Sequence, residues 1–405
     1  MWPFSRKSTA QPQAIRTPAE LESFLLGALR QSASGIRITP ETALQCPAVF
    51  ACVNVLAQSI GQLPMHVYER KGEEKTRAAT HPLHALLHDQ PNDYQSAVEF
   101  REVVQANAGL YGNGYAYVSR LNGRPIELHP LHSAAVRPER MSDLTIRYHV
   151  TGEDGRAVTY AADEIFHLRG FSRNGWLGES PVRHAREAIA LALAAERYGA
   201  LFFKNGAKSK GAFRLPEGSL DEPSFNRLKD QLNESANGDD THKTPLLERG
   251  IEWVAMDHSA KDSQLTELRN HQVVEIARIF RIPPHIVQHL EKSSFSNIEH
   301  QSREFVLHTL MPWVRRWEGA VQRQLVQDKS RYFAEFSLQT FLRGDNATRA
   351  KYYATAIGGP HMTVNEGRRL ENLPPIDGGD ELLSPLNMGS PDDDSLDPPE
   401  EGSDK

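Results

Sequence analysis

No glycine in this 405-residue chain is followed by lysine, so it lacks the Gly-Lys dipeptide that a phosphate-cradling Walker loop requires. The patterns His-Glu-x-x-His and Gly-x-Ser-x-Gly are missing too, which excludes the commonest zinc-hydrolase and serine-nucleophile arrangements. Cysteine is scarce. Cys46 and Cys52 are too few for a disulfide framework or a four-ligand zinc site, and their spacing fits a buried helix or loop. Long apolar runs are absent: the longest, residues 188–195, lies between Glu187 and Glu196 and is far short of the roughly 20 residues a bilayer demands. Behind Met1-Trp2-Pro3-Phe4-Ser5-Arg6-Lys7 there is no apolar segment of signal-peptide length. These absences predict no membrane span and synthesis in a reducing cytoplasm. No domain is strongly basic either. Residues 377–405 carry a net −9, which leaves +3 for the remaining 376, so any hold on duplex DNA must be loose.

The chain does have 39% hydrophobic residues, enough for one full core or two. Residues 40–175 read as a mixed α+β domain. Helical spacing over 49–63 and 96–109 and a short helix over 81–88 alternate with β-type runs at 65–68, 115–120, 146–150 and 164–169. From Ser180-Pro181, a capping hydroxyl followed by proline, the pattern becomes one long helix to about Lys204. Ala185, Ala188, Ala192 and Ala195 form a small-residue stripe on it, fit for close approach by a helix of the same chain or of another copy. Residues 208–256 make a compact α/β insert, and a helix follows over 262–280. Residues 332–342 alternate as a strand, helices follow at 346–357 and 365–370, and the acidic end from Ser390 is expected to be disordered.

The most informative stretch runs Ile282-Pro283-Pro284, then His289-Leu290-Glu291-Lys292-Ser293-Ser294-Phe295-Ser296-Asn297, then a long helical pattern over 297–326 with Pro312 inside it. Pro-Pro ends a helix because neither ring nitrogen donates and the preceding residue is pushed out of α space. Pro312 should kink its helix near His308, whose carbonyl the ring would meet. Trp313 and Trp317 on that helix, with the alanine stripe, offer more surface than one small subunit obviously needs, and they point to a homo-oligomer. His81, His84 and His88 can share a helical face. Pro82 and the lack of a carboxylate at ligand spacing favour a structural role, so no metal and no cofactor are expected.

In order along about 340 residues, several fragments together resemble the portal proteins of tailed double-stranded DNA phages, in the shorter form of long-tailed, lambdoid-like phages. They are Ala48-Val49-Phe50-Ala51-Cys52-Val53, His81-Pro82-Leu83, Tyr111-Gly112-Asn113-Gly114, Glu127-Leu128-His129-Pro130, Ile165-Phe166-His167-Leu168-Arg169 and Gly178-Glu179-Ser180-Pro181. Farther on come Phe202-Phe203-Lys204-Asn205-Gly206, Ile276-Ala277-Arg278-Ile279-Phe280, Thr309-Leu310-Met311-Pro312, Arg343-Gly344-Asp345 and Thr363-Val364-Asn365-Glu366-Gly367-Arg368.

The resemblance implies an α+β portal fold. It would comprise a mixed α/β wing (39–178, with a return strand at 331–342), stem helices (179–207 and 257–280), a small α/β clip (208–256), a tunnel loop and kinked helix (281–327) and a short helical crown (345–388). The N-terminal arm (1–38) and the disordered acidic tail (389–405) are read from composition, and the tail is not a landmark of the family. His289, Glu291, Lys292, Ser293, Ser294, Phe295, Ser296 and Asn297 would line the DNA channel, with Pro283, Pro284 and Pro312 as helix breaks. It also implies a non-enzymatic ring, commonly of twelve subunits, at one capsid vertex of the virion. Its partners would be double-stranded DNA, terminase, the major capsid or scaffold protein, and the head–tail adaptor. A packaging ATPase would need the missing Walker loop. A head–tail connector, the nearest alternative, is usually much shorter.

Overall fold

Among the described residues, four α-helices of the first unit begin on proline, whose fixed φ and missing N–H suit the first helical turn: Pro40–Ala43, Pro47–Gly61, Pro82–His88 and Pro181–His184. The computed structural model describes residues 32–72, 74–204, 211–214, 221–237, 252–255, 261–288, 303–338, 346–359, 361–371 and 373–383. The chain divides into two compact units, one ending at Phe336 and the other beginning at Ser337. Helix Ala97–Tyr111 starts in a capping box: Ser96 Oγ accepts the Glu99 N–H at 3.3 Å, and Glu99 Oε2 accepts the Ser96 N–H at 2.8 Å. It stops at Gly112, whose φ of 79° only glycine adopts freely.

The strands, in chain order, are β1 (Met65–Lys71), β2 (Glu74–Arg77), β3 (Asn113–Leu121), β4 (Arg124–Leu131), β5 (Val136–Arg140), β6 (Ile146–Thr151), β7 (Ala157–Tyr160), β8 (Ile165–Arg169), β9 (Gly211–Arg214), β10 (Glu252–Ala255) and β11 (Tyr332–Phe336). They form antiparallel sheets ordered β11-β1-β2, β4-β3-β8 and β5-β6-β7, with β9 pairing β10 in the insert. β11 returns from the far end of the first unit to pair with β1, with Met65 opposite Phe336 and Glu69 opposite Tyr332. Ser337 and Leu338, expected in that strand, are coil, and 339–342 fall outside the described residues. The strands that sequence patterning missed are β2, β4, β5 and β7, each at a sheet edge. Pro125, Pro130 and Pro138 lie in two of them, and an edge tolerates proline because one side of the strand needs no donor.

The helix expected from Ser180 to Lys204 is divided at Ala185 into Pro181–His184 and Arg186–Lys204. Ala185 and Ala195 are buried, and Ala192 faces Gln272, Val273 and Ile276 of helix Lys261–Phe280 across a cleft of about 260 Å³. The alanine stripe therefore serves a helix of the same chain. The long helix after the Pro-Pro stop is described from Arg303: a π-helical turn, Phe305–Leu310, leads into α-helix Met311–Gln324. Trp317, expected at a surface between copies, is instead 1% exposed. It lies at the centre of an aromatic group with Phe166 at 5.5 Å and Phe100 and Phe336 at 6.5 Å between ring centroids. The second unit contains helices Asn346–Gly358 and Val364–Leu370, and Thr363 caps the latter by accepting the Glu366 N–H at 3.2 Å. Among the described residues no helix is long and apolar enough to cross a membrane.

Candidate functional site around the Pro-Pro stop

Helix Lys261–Phe280 ends on Arg281, held at φ 58°. The Ile282 N–H reaches back to the Ala277 carbonyl at 2.9 Å, closing the helix as a left-handed cap usually does, here with arginine where glycine is easier. Pro283 and Pro284 then make the helix unable to resume, and Pro284–Val287 forms a 3-10 turn ending at Gln288, φ 63°. On the return side, Pro312 is the second residue of helix Met311–Gln324 and follows the π-helical turn directly. Proline cannot bond the carbonyl four residues back, that of His308, and the π turn changes the hydrogen-bonding pattern across that residue.

One hydrogen bond ties the two sides together, since Thr309 Oγ1 donates to the Arg281 carbonyl. Ile282 and Leu310, 2% and 0% exposed, bury the junction beside it. Arg281, Ile282, Thr309 and Leu310 thus form a closed, packed base. Next to that base lies a cleft of about 280 Å³, lined by Gly170, Phe171, Arg281, Thr309, Trp313 and Arg316. The Arg316 guanidinium sits 5.1 Å from the Trp313 ring centroid. Its pKa is lowered by burial and then by the Arg281 charge.

The return helix is fixed to the sheet by side-chain amides. Gln324 Oε1 accepts the His167 N–H at 2.7 Å, and Gln324 Nε2 donates to the His167 carbonyl at 3.2 Å. Gln324 thereby pairs with the open edge of β8 as another strand would. Trp317 Nε1 donates to Gln105 Oε1 at 2.8 Å within helix Ala97–Tyr111.

Behind this edge lies a buried polar node. Asn113 Nδ2 donates to the Gly178 carbonyl at 2.9 Å, and its Oδ1 accepts the Gly178 N–H at 2.7 Å and meets His167 Nε2 at 2.9 Å. With Oδ1 the acceptor, His167 carries its proton on Nε2, and Nδ1 accepts from the Tyr148 hydroxyl at 3.0 Å. Burial, then the charges of Arg169 and Arg323, hold the His167 pKa well below the ordinary imidazole value, so it is neutral. A Cβ on Gly178 would fall 1.9 Å from the Gly112 carbonyl oxygen, and one on Gly112 2.2 Å from the Glu179 oxygen. Ser180 Oγ completes the junction by donating to the Leu110 carbonyl at 2.6 Å. Three fragments far apart in sequence (Tyr111-Gly112-Asn113, His167 and Gly178-Glu179-Ser180) are one structural unit.

The family model for phage portal proteins matches residues 47–372. This chain belongs to the phage portal protein family. It is 35% identical to the portal protein of Enterobacteria phage HK97, over 85% of this chain and 82% of that protein. It is 30% identical to the probable portal protein of Streptomyces phage phiC31, over 92% of this chain and 84% of that one. Among solved structures, a chain from the neck of an empty GTA particle superposes with a TM-score of 0.60 at 23% identity, covering 89% of this chain and 95% of the other.

Three of the fragments that carried the sequence resemblance, around Asn113, His167 and Gly178, therefore form one structural joint. Of the residues singled out from sequence, Pro283, Pro284 and Pro312 bracket the base described above. His289, Glu291, Lys292, Ser293, Ser294, Phe295, Ser296 and Asn297 lie outside the described residues, as do residues 1–31 and the acidic tail. Sequence reasoning missed Arg101, whose guanidinium is buried and donates to backbone carbonyls. Its Nε and Nη2 donate to the Gly61 carbonyl at 3.1 and 2.8 Å, and Nη1 to Leu87 at 2.7 Å. Burial lowers its pKa to about 10, still cationic at neutral pH, and the charge meets carbonyls at the C-terminal ends of two helices. Nothing in the local pattern distinguishes this arginine from a solvent-facing one.

Proposed function

We propose that this portal-family chain is one subunit of a closed homo-oligomeric ring, of twelve copies, at a single capsid vertex. Double-stranded DNA passes through the ring during packaging and ejection. The observation that carries this reading is the closed base at Arg281 and Thr309, from which residues 289–297 would project into the channel. In it, 289–297 is the channel loop, 281–327 the tunnel segment, 39–178 with the return strand the wing, and 179–207 and 257–280 the stem. The clip at 208–256 docks terminase and later the head–tail adaptor, the crown is 345–388, and the capsid or scaffold protein surrounds the ring. The subunit is made in the host cytoplasm, ends in the virion and catalyses nothing.

Two further observations support the reading. Leu191, Tyr198 and Leu201 lie on one face of helix Arg186–Lys204 and are 41–50% exposed, an apolar surface suited to a neighbouring copy. A structurally similar chain comes from a GTA neck computed with C12 symmetry. The near-neutral body also suits a conduit, because each neutralised phosphate would add to binding and resist sliding.

The test is the double substitution Ser293→Arg with Ser294→Arg. Ring assembly should be unchanged while DNA translocation in a packaging assay slows or stalls at low salt, with recovery as salt rises. Packaging at the normal rate at low salt would show that this loop does not meet DNA.

A further inference from the structure

Away from the Pro-Pro stop, the face where β1 packs on helix Pro82–His88 gathers three imidazoles. Ring centroids are 4.7 Å apart for His66 and His88, 5.0 Å for His84 and His88, and 5.6 Å for His66 and His84. His84 is 6% exposed, and its Nε2 is buried with no hydrogen-bond partner. An unsatisfied buried ring nitrogen is costly, and a native structure rarely keeps one without a use. His88 and Asp89 stand at the open side of the group, with 30% and 62% of their side chains exposed, and His88 Nδ1 lies 2.6 Å from Asp89 Oδ1. One ligand atom from each of His84, His88 and Asp89 falls within 4.8 Å of the others.

We propose that His84, His88 and Asp89 form a binding site for a divalent transition-metal cation of the zinc class, with three protein ligands and the remaining position open to water. Histidines four residues apart on a helix share a face, which is the spacing by which helical metal sites bring two imidazoles to one ion. The carboxylate comes from the residue that caps the helix: Asp89 lies just past the last helical residue, off the register in which a same-face ligand would be sought. Two imidazoles and a carboxylate suit zinc, cobalt or nickel, whereas calcium and magnesium need six or more oxygens.

His81 takes no part. Its Nδ1 accepts the Leu83 N–H at 3.2 Å as the helix cap, and its ring lies against Tyr332. His66 is not a ligand either, because its ring nitrogens face Arg77 Nη2 at 2.6 and 3.1 Å. It is the plate against which the two ligand rings pack. The Arg77 charge beside it opposes a bound dication and tunes the affinity downward.

The full-length protein, stripped with chelator and exchanged into chelator-free buffer, should be titrated with zinc chloride by calorimetry and with cobalt chloride by visible absorption. Wild type should bind a single equivalent saturably, give the intense absorption of tetrahedral cobalt, and melt at higher temperature with metal, since the ion binds only the folded helix end. His88→Ala and Asp89→Asn, both at partly exposed side chains, should keep the apo melting temperature and weaken binding at least about tenfold. Arg77→Gln should tighten it. Absence of saturable binding in the wild type, or binding undiminished in both ligand variants, would overturn the site. The second outcome is also what adventitious binding to the chain's other histidines or its acidic end would give.

Discussion

Two buried joints organise the first unit, one seating the return helix and the other joining β3, β8 and the loop before Pro181, and they are built on opposite principles. Around Trp317 the joint is aromatic and non-directional: Phe100, Phe166 and Phe336 enclose the indole, and a single hydrogen bond to Gln105 orients it. Around Asn113 the joint is polar and directional, with amide, imidazole, phenol and backbone fully paired and two glycines letting main chains touch. The first gains free energy in proportion to the apolar area it buries. The second gains little net per hydrogen bond but loses heavily if one partner goes, because the others are left buried and unpaired. Packing supplies stability at one joint, while the other supplies a unique arrangement of β3, β8 and the loop before Pro181.

The contrast can be broken from either side. Trp317→Ala should cost about 3–5 kcal/mol in denaturant unfolding, the usual price of deleting a fully buried indole. A loss under about 1 kcal/mol would mean the residue does not sit in the core. Gly178→Ala should cost at least about 2 kcal/mol, because the new methyl meets the Gly112 carbonyl and backbone must move. An alanine variant as stable as wild type would show that the main chains at Gly112 and Gly178 do not approach so closely.

A smaller effect tests the polar joint through pH. The folded state holds the His167 pKa well below 6.5, while the unfolded chain protonates near that value. The unfolded state therefore binds more protons as pH falls, so the contribution is fully present above about pH 6.5 and is lost below it. Relative to His167→Gln, wild type should lose up to roughly 1.4 kcal/mol per pH unit on acidification below pH 6. Parallel stability curves for the two proteins from pH 7 to 5 would contradict a buried neutral imidazole.

These joints also show what could be read before the fold was known. Helices with strong spacing and prolines at their starts were legible, as was the stop at Pro283-Pro284, because those signals are local. Edge strands β4 and β5 were not, since their prolines and charges mimic turns until a neighbouring strand is in place. Trp317 was recognised as apolar, but periodicity gives the width of a helical face and not what covers it. The burial of this residue inside its own chain could not be told from a contact with another copy. Asn113, His167 and Gly178 stood in landmark fragments, yet their mutual hydrogen bonds span 54 and 65 residues, beyond any local pattern. Asp89 escaped for a related reason, lying one residue past the helix whose faces were being compared.

We propose that the joined ends at Arg281 and Thr309 hold residues 289–297 in the channel of a ring. Cryo-electron microscopy of the purified full-length protein tests it most directly. Closed rings with a central hole are expected, with the 289–297 segment of every subunit at its wall and helix Arg186–Lys204 at the contact between copies. A stable 45.4 kDa monomer at all concentrations and salts, or rings carrying that segment on the outer rim, would contradict it.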